Sequence, residues 1–235
     1  MNKIKPLLWD SEFFNISCGR IIIDNKFEGW DELRDEIKLY DFISIQNVDN
    51  DIGRNEKISE LGKAFLADIN IQFSKKIKKG SKNENCVLYS CKDISKKDFS
   101  FIEVKRDDFI YSKFECDSEF KKLNGYRVYK EWIKNALNDN NKFFLIYEDE
   151  HPKAFILFSI YGETARIELI KVNKEYQKNG VATKMIKCLE YILNNKNINY
   201  LNVGTQVNNI GAVNLYHKLG FKEISHNSVF HLWNK

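Results

Sequence analysis

Hydrophobic residues alternate with polar ones, or form short continuous runs, in several stretches of the second half of the chain. These patterns are typical of strands, and they occur in "KFFLIYED", "KAFILFSIYG", "ARIELIKV" and "NINYLNVGTQ". Two other stretches have apolar residues at helical spacing, one from about Gly180 to Leu193 and one within "NNIGAVNLYHKLGF". The last stretch, "KEISHNSVFHLW", is predicted to be a hairpin. The order β-β-β-α-β-α-β-β predicts an α/β domain around a mixed sheet.

The first half of the chain has a mixed α and β pattern as well. Strand patterns occur in "CGRIIID", "DFISIQNV" and "AFLADINIQF", and "WDELRDEIKLY" has helical spacing. The polar, basic residues 75–85 are predicted to form an exposed loop. A second hydrophilic zone, near residues 95–100, is the predicted domain boundary. It divides a smaller N-terminal α/β domain, residues 1–98, from a second domain, residues 99–235.

Composition excludes several classes of protein. A net charge of +4 over 235 residues is too small to indicate nucleic-acid binding. The five cysteines are scattered without CxxC spacing, which predicts reduced thiols and no metal site. The first residues lack the apolar segment of a signal peptide, and the most apolar run is too short to span a bilayer. We therefore expect a soluble cytoplasmic protein that does not insert into membranes.

The stretch "ARIELIKV" contains an irregularity. Ile167 and Leu169 alternate, but Ile170 follows directly and Val172 continues the new phase, so the apolar face has slipped by one residue. A β-bulge produces such a slip, and bulges are frequent beside active sites. A strand buried on both faces would give the same pattern. The sequence leaves both interpretations open.

A glycine stands where the next helix begins, in "YQKNGVATK". The N-terminus of a helix offers unpaired N–H groups and the positive end of its dipole, and a diphosphate binds there when the backbone is accessible. Gly180 has no Cβ to obstruct that approach, Ala182 keeps the next turn small, and Gln177 and Lys178 add side-chain donors. A glycine that only makes a turn would look the same. Neither a Walker loop nor a GxGxxG motif is present.

A second motif lies one strand downstream and makes the pattern specific. The two motifs are Gln177-x-x-Gly180-x-Ala182 and Asn209 with Ala212-x-x-Leu215-Tyr216-x-Lys218-x-Gly220-Phe221. Their order and spacing resemble the GNAT acyltransferase superfamily over roughly residues 140–235. The resemblance implies a GNAT fold with a mixed, mostly antiparallel, bulged sheet, and acetyl-CoA as acyl donor without a metal. It also implies that the residues around both motifs bind the donor: Ile170, Lys171, Val172, Gln177, Lys178, Asn179, Gly180, Val181, Ala182, Asn209 and Ala212.

The same resemblance implies transfer of an acyl group from a CoA thioester directly to a primary amine. A leaving thiolate needs a proton, and Tyr216, a phenol with an ordinary pKa of about 10, is the expected general acid. The alternative is a tyrosine of the core. Glu168 is the candidate general base, although it could instead pair with Arg166. Main-chain N–H groups of its strand are expected to polarise the thioester carbonyl.

A narrower resemblance covers nearly the whole chain. The stretches "LLWDSEFFNISCGRI", "DSEFKKLNGYRVYKEWI", "VGTQVNN" and "FHLW" are similar to the TDP-fucosamine acetyltransferases. This family implies a TDP-linked amino-dideoxy sugar as acceptor, acetylated on its 4-amino group for a cell-surface polysaccharide. Side chains that could contact the acceptor are Trp9, Phe13, Phe14, Arg20, Arg127, Arg166 and His231, although packing in the core is the default for the aromatic residues.

Two rival interpretations remain. The acceptor could be a peptide, a protein amine or another small amine, or the protein could bind CoA without catalysis. The oligomeric state is not fixed by the sequence, and a homodimer stays open.

Overall fold

The computed structural model describes residues 3–94 and 104–234, and ten strands in these residues form one continuous sheet. The strands are β1 (Lys5–Pro6), β2 (Cys18–Ile23), β3 (Phe42–Asn47), β4 (Phe65–Lys76), β5 (Cys86–Ser90), β6 (Lys142–Asp149), β7 (His151–Tyr161), β8 (Thr164–Val172), β9 (Tyr200–Gln206) and β10 (Lys222–Trp233). The α-helices are α1 (Leu8–Phe14), α2 (Trp30–Glu36), α3 (Ile52–Ser59), α4 (Cys91–Ile94), α5 (Lys113–Cys116), α6 (Ser118–Lys122), α7 (Arg127–Ala136), α8 (Val181–Asn194) and α9 (Ile210–Lys218).

The strand order in the sheet is β1-β2-β3-β10-β4-β9-β8-β7-β6-β5. Two neighbouring pairs, β2 with β3 and β8 with β9, are parallel, and the other pairs are antiparallel. Helices pack on both faces, because adjacent residues of β6 belong to different core clusters. Leu145 packs with residues of α8, whereas Phe144 packs with residues of α7. The predicted class, an α/β fold with a mixed, mostly antiparallel and bulged sheet, is confirmed.

The predicted C-terminal hairpin is wrong, because β10 is one continuous strand of 12 residues. It pairs with β3 from Ser228 to Trp233 and with β4 from Lys222 to His231. Partners on both sides satisfy the main-chain groups along its length, which a two-stranded hairpin at the sheet edge would not achieve. Two register shifts against β4 accommodate the twist of so long a strand.

Strands from both halves of the chain interleave in this sheet. The C-terminal strand β10 lies between β3 and β4, and β4 lies between β10 and β9. A third core cluster joins β10 to the N-terminal strands and to α2 and α3. The predicted boundary between residues 98 and 99 lies outside the described residues, and the division into two domains stays a prediction.

Candidate active site

The parallel strands β8 and β9 separate near the middle of the sheet. They pair only from Thr164 to Ile167 and from Tyr200 to Val203, although both strands continue beyond these residues. Past this point β8 remains paired with β7, and β9 remains paired with β4. The facing main-chain edges of residues 168–172 and 204–206 therefore border an opening in the sheet, where an extended ligand can add its own hydrogen bonds.

A β-bulge marks the point where the two strands separate. Ile167 pairs with Phe158 and Leu169 pairs with Leu157, so Glu168 is an extra residue in β8. The bulge turns Ile167 toward the cluster around α8 and Leu169 toward the cluster around α7. Of the two interpretations of the slipped apolar pattern, the structure has the bulge.

The bulged carboxylate has a partner that the sequence did not suggest. Glu168 Oε2 lies 2.8 Å from Lys142 Nζ, at the start of β6. The predicted partner, Arg166, instead donates from Nη2 to Gln72 Oε1 at 3.1 Å. Glu168 is therefore fixed at the cavity wall by a lysine from a different strand.

A cavity of about 920 Å³ opens beside the bulge. Its floor is a row of polar side chains on neighbouring strands: Arg20, Ser44, Gln46, Asn227, Asp68, Asn70, Gln72, Gln206, Arg166 and Glu168. The segment around α5 and residues of α7 form the opposite wall, and α9 closes one end. The predicted residues Glu168, Ile170, Asn209, Ala212 and Tyr216 all line this cavity.

Tyr216 lies where α9 meets the cavity. Its side chain is only 2% exposed and packs against the rings of Phe73 and Phe221, at centroid distances of 5.4 and 5.6 Å. Burial raises the pKa of Tyr216, so its phenol keeps its proton at neutral pH. The residue belongs to the core and to the cavity wall at once, and its role as general acid stays a prediction.

Asn209 caps helix α9. Its Oδ1 accepts a hydrogen bond from the main-chain N–H of Ala212 at 3.2 Å, as is usual for an asparagine at this position. This bond joins two of the residues predicted to bind the donor and places both on the cavity wall. The amide nitrogen of Asn209 has no hydrogen-bond partner in residues 3–94 and 104–234, so it can donate to a ligand.

The N-terminus of α8 is exposed and has no side-chain cap. Gly180 precedes the helix with φ at 75°, a left-handed conformation that favours glycine. An ideal Cβ placed there would have no atom within 4 Å, so the space in front of the helix is open. The first-turn N–H groups of α8 are thus accessible to a ligand, as a phosphate site requires.

The loop before α8 is tied to the open end of β8. Gln177 Nε2 donates to the carbonyl oxygen of Val172 at 3.0 Å, which uses one of the side-chain donors predicted for the phosphates. Lys178 and Asn179 are exposed. Residues 177–182 border the open space in front of α8 and do not line the 920 Å³ cavity.

The strand residues predicted to bind the donor differ in what their side chains do. Ile170 and Val172 pack toward α8. Lys171 points away, is buried, and pairs with Asp108 at 2.7 Å. Only the main chain of Lys171 is therefore available at the opening, in agreement with a strand that offers backbone donors and acceptors.

Sequence reasoning missed four charged residues of the cavity: Asp68 on β4, Asp108, Lys113 at the start of α5 and Lys142 at the start of β6. Asp68 and Lys113 form a pair from two elements that are in contact, β4 and α5. Burial raises the pKa of Asp68 to about 6. Burial, and then the nearby Arg20 guanidinium, lower the pKa of Lys113. No sequence signal could have found the pair, because the residues are distant in the chain and α5 has only four residues.

The other residues predicted to contact the acceptor divide into two groups. Arg20 and Arg166 line the cavity. The guanidinium of Arg127 instead lies 5.9 Å from the ring centroid of Phe13. Phe14 is buried, and Trp9 and Phe13 pack against the same core cluster, so these aromatic residues follow the default expectation.

His231 is fully buried, and it takes part in a hydrogen-bonded group that fixes α6 to β10. His231 Nδ1 lies 2.6 Å from Asp117 Oδ2, and Trp233 Nε1 donates to the same oxygen at 2.9 Å. Burial lowers the pKa of His231. Burial alone would raise the pKa of Asp117, but the hydrogen bonds from His231 and Trp233 outweigh it and the pKa is lowered. This group holds the segment that carries Lys113.

Within residues 3–94 and 104–234, no group of three or more His, Cys, Asp or Glu side chains is placed to hold a metal ion. In the same residues, every helix is too short or too polar to cross a membrane.

Comparisons with known proteins agree with this geometry. The family model "Acetyltransferase (GNAT) family" matches residues 103–221, just over half of the 235 residues. The spore coat polysaccharide biosynthesis protein SpsD of Bacillus subtilis (strain 168) is 21% identical over 132 residues, which are 56% of this chain and 46% of that protein. The chain thus matches less than half the length of this relative.

Solved structures with the same fold cover nearly the whole chain. A conserved protein of unknown function from Staphylococcus epidermidis ATCC 12228 superposes with a TM-score of 0.61 and 15% identity, over 93% of this chain and 84% of that one. A tandem GNAT protein from the clavulanic acid biosynthesis pathway superposes with a TM-score of 0.55 and 10% identity, over 93% and 77%. At these identities the likeness shows the fold. From the family match, the chain belongs to the GNAT acetyltransferase family, the acyl-CoA-dependent N-acetyltransferases.

Proposed function

We propose that the protein transfers an acetyl group from acetyl-CoA to the 4-amino group of a TDP-linked amino-dideoxy sugar, with Tyr216 as general acid. The observation that carries this proposal is the opening between β8 and β9. It lies between the uncapped N-terminus of α8 and a cavity that Tyr216 lines. A donor can enter on one side of the opening and an acceptor on the other.

The donor's diphosphate sits on the N–H groups of the first turn of α8, where the helix dipole adds to the attraction. The pantetheine arm runs along the unpaired edge of β8, residues 168–172, and its amides bond to the main chain as an added strand would. This path brings the thioester from the exposed helix end to the bulge. Asn209, at the start of α9, borders it.

Tyr216 acts on the sulfur. When the amine attacks the thioester carbon, the C–S bond breaks and the electron pair leaves on sulfur. The phenol donates a hydrogen bond to the developing thiolate and then its proton. Burial raises the pKa of Tyr216, which would oppose this transfer in water. The same apolar surroundings also raise the pKa of a thiol, which partly offsets the effect on the phenol.

Glu168 is the proposed general base. Its carboxylate lies at the bulge, next to the main-chain edge along which the thioester is proposed to lie. The ion pair with Lys142 fixes its position. The amine must lose one proton overall, and Glu168 accepts it directly or through water. Main-chain N–H groups past the bulge polarise the carbonyl oxygen, as in other acyl-transfer sites.

Two observations favour a nucleotide-linked sugar as the acceptor. The cavity is large, and its floor is lined by polar side chains rather than by an apolar groove. The relative from Bacillus subtilis is named for spore coat polysaccharide biosynthesis, which is consistent with a sugar substrate. A peptide, a protein amine or another small amine is the alternative acceptor.

Release of free thiol from acetyl-CoA, measured with a panel of TDP-amino sugars, peptides and simple amines, tests the proposal. We expect release with a TDP-4-amino-4,6-dideoxy sugar and an acetylated product detected by mass spectrometry. Turnover only with peptides would contradict the sugar acceptor. Binding of acetyl-CoA without release for any amine would favour a non-catalytic CoA-binding protein.

A further inference from the structure

The far end of the cavity carries two cations near each other. Arg20 stands on β2 at the rim, and Lys113 stands at the start of α5 above the sheet. Each positive charge attracts an anion. The charge of Arg20 also contributes to the lowered pKa of Lys113, because it has the same sign. Two like charges held together in a cavity are unfavourable until a ligand of opposite charge joins them.

Lys113 has no polar partner among the described residues. Its ammonium forms no hydrogen bond or ion pair there, and Nζ lies over the ring of Phe114, 5.2 Å from the centroid. Arg20 is only partly engaged, since Nη2 donates to Gln46 Oε1 at 2.6 Å. A partly buried lysine without a polar partner is unfavourable, which argues that a ligand supplies the missing anion.

Two carboxylates, Asp68 and Asp10, also influence Lys113 through the electrostatic field. Asp10 does not line the cavity. Asp68 does, but its pKa of about 6 allows it to take up a proton when an anion arrives. Neither carboxylate therefore excludes an anion from the space between Arg20 and Lys113.

The distance from the bulge to the two cations, Arg20 and Lys113, sets a minimum length for an acceptor that reaches both. Six strands make up the floor, in the order β2-β3-β10-β4-β9-β8, so five intervals between strands separate its ends. At about 4.8 Å per interval, the main chains of Arg20 and Glu168 are about 24 Å apart. A small amine at the bulge cannot reach the cations, whereas an amino sugar extended by a nucleoside diphosphate can.

We propose that Arg20 and Lys113 form an anion subsite that binds the phosphate groups of the acceptor. This inference rests on the proposed function for the identity of the acceptor, but the subsite itself can be tested without turnover. Arginine offers paired donors that match phosphate oxygens, and lysine adds a point charge at close range. The subsite lies on the opposite side of the sheet opening from the diphosphate site at α8.

Isothermal titration calorimetry with inorganic pyrophosphate and with thymidine diphosphate provides the test. Saturating CoA is present throughout, so that the N-terminus of α8 is occupied.

The variants are Lys113→Met and Arg20→Met, and the matched control is Lys122→Met, an exposed lysine that pairs with Glu119 on α6. Arg20 is exposed, so its variant is expected to fold even if the change at Lys113 is disruptive. Unchanged CoA affinity reports a folded protein.

We expect both ligands to bind the wild type about tenfold or more tightly than either cavity variant, with the control unchanged. Equal affinity in the wild type and in Arg20→Met and Lys113→Met would overturn the subsite. If TDP-sugars are acetylated with an unchanged KM in these variants, the subsite fails and the proposed function stands. If the variants lose pyrophosphate binding but no TDP-sugar is acetylated, the subsite stands and the proposed function fails.

Discussion

At the scale of single residues, the proposed chemistry depends on one hydroxyl, that of Tyr216. Tyr216 is packed between Phe73 and Phe221, so its ring position is fixed by the core. Replacement by phenylalanine removes the oxygen and retains the packing. The variant therefore tests the loss of the proton donor without a large loss of stability, whereas most substitutions in a core also destabilise the fold.

We predict that Tyr216→Phe lowers kcat about 100-fold and leaves acetyl-CoA affinity nearly unchanged, because a general acid acts on the chemical step. Steady-state thiol release and calorimetry with acetyl-CoA measure the two quantities. Tyr200→Phe is the control. Tyr200 is exposed at the first residue of β9, at the end of the strand away from the opening, and it does not line the cavity. An unchanged kcat in Tyr216→Phe would remove the residue from the mechanism.

A residue-scale comparison also shows what the sequence can and cannot predict. Gln177, Gly180, Asn209 and Tyr216 were predicted as site residues from local motifs, whose spacing along the chain is visible, and of these Asn209 and Tyr216 line the cavity. The cavity pair Asp68 and Lys113 was not identified, because the contacts between β4 and α5 arise only in the folded sheet. The partner of Glu168 was missed for the same reason.

At the scale of elements, the N-terminus of α8 has a conformation that only glycine adopts without strain. Gly162, in the turn between β7 and β8, is a natural control for Gly180. Both residues have positive φ, 57° and 75°, and an added Cβ would meet nothing within 4 Å at either position. Gly180 stands at the start of helix α8, whereas Gly162 lies in a turn between two strands, away from the proposed donor site.

We predict that Gly162→Ala and Gly180→Ala each lower the free energy of unfolding by about 1 kcal/mol, because alanine is strained at positive φ. Only Gly180→Ala is expected to weaken acetyl-CoA binding, by about tenfold, since its Cβ enters the proposed diphosphate site. Thermal unfolding and calorimetry measure both effects. Equal CoA affinity in the two variants would show that the diphosphate binds elsewhere.

The buried group of Asp117, His231 and Trp233 connects α6 to β10 and makes stability depend on pH. Both ionisable members have lowered pKa values, so each contributes stability above its unfolded pKa and loses it as the pH falls. For His231 this loss begins near pH 6.5, the ordinary histidine value. For Asp117 it begins only near the ordinary aspartate value of 3.8.

We predict that between pH 6.5 and pH 5 the free energy of unfolding of the wild type falls by about 1 kcal/mol relative to that of His231→Gln, because the unfolded wild type takes up a proton at His231. His231→Gln keeps a donor for Asp117 but does not titrate, and Asp68, whose pKa is raised to about 6, titrates in both proteins and cancels from the difference. His151→Gln changes an exposed histidine and serves as control. Urea unfolding at several pH values gives the profiles, and identical slopes for wild type and His231→Gln would refute the assignment.

The elements themselves were largely predictable. The helix expected from about residue 180 to 193 is α8, Val181–Asn194, and the strand patterns of the second half correspond to β6, β7, β8 and β9. The bulge in β8 was visible as a slip in the apolar pattern. The C-terminal strand was predicted as a hairpin, because its two neighbours, β3 and β4, come from the distant N-terminal half and leave no local signal.

At the scale of the whole molecule, the interleaved sheet joins the two halves of the chain. Strand β10 needs β3 and β4 to satisfy its main-chain groups, and β4 needs both β9 and β10. The floor of the cavity likewise combines residues from both halves. The candidate active site is therefore a product of the complete sheet.

We predict that residues 99–235 expressed alone do not reach a stable fold, because β10 would lose both of its partner strands, β3 and β4, and β9 and β6 would each lose one. Circular dichroism and amide hydrogen exchange of this fragment, compared with the full chain, measure the difference. The full chain should unfold in a single transition seen by both far-UV and near-UV signals. A fragment with a cooperative unfolding transition of its own would instead support two independent domains divided near residue 98.

A crystal structure of the protein with acetyl-CoA bound is the most direct test of the site. We predict that the diphosphate lies on the N–H groups of residues 180–183, that the pantetheine arm follows β8 from Val172 toward Glu168, and that the sulfur lies within hydrogen-bond reach of the Tyr216 hydroxyl. Acetyl-CoA bound away from the opening between β8 and β9, or with its sulfur far from Tyr216, would contradict the proposed mechanism.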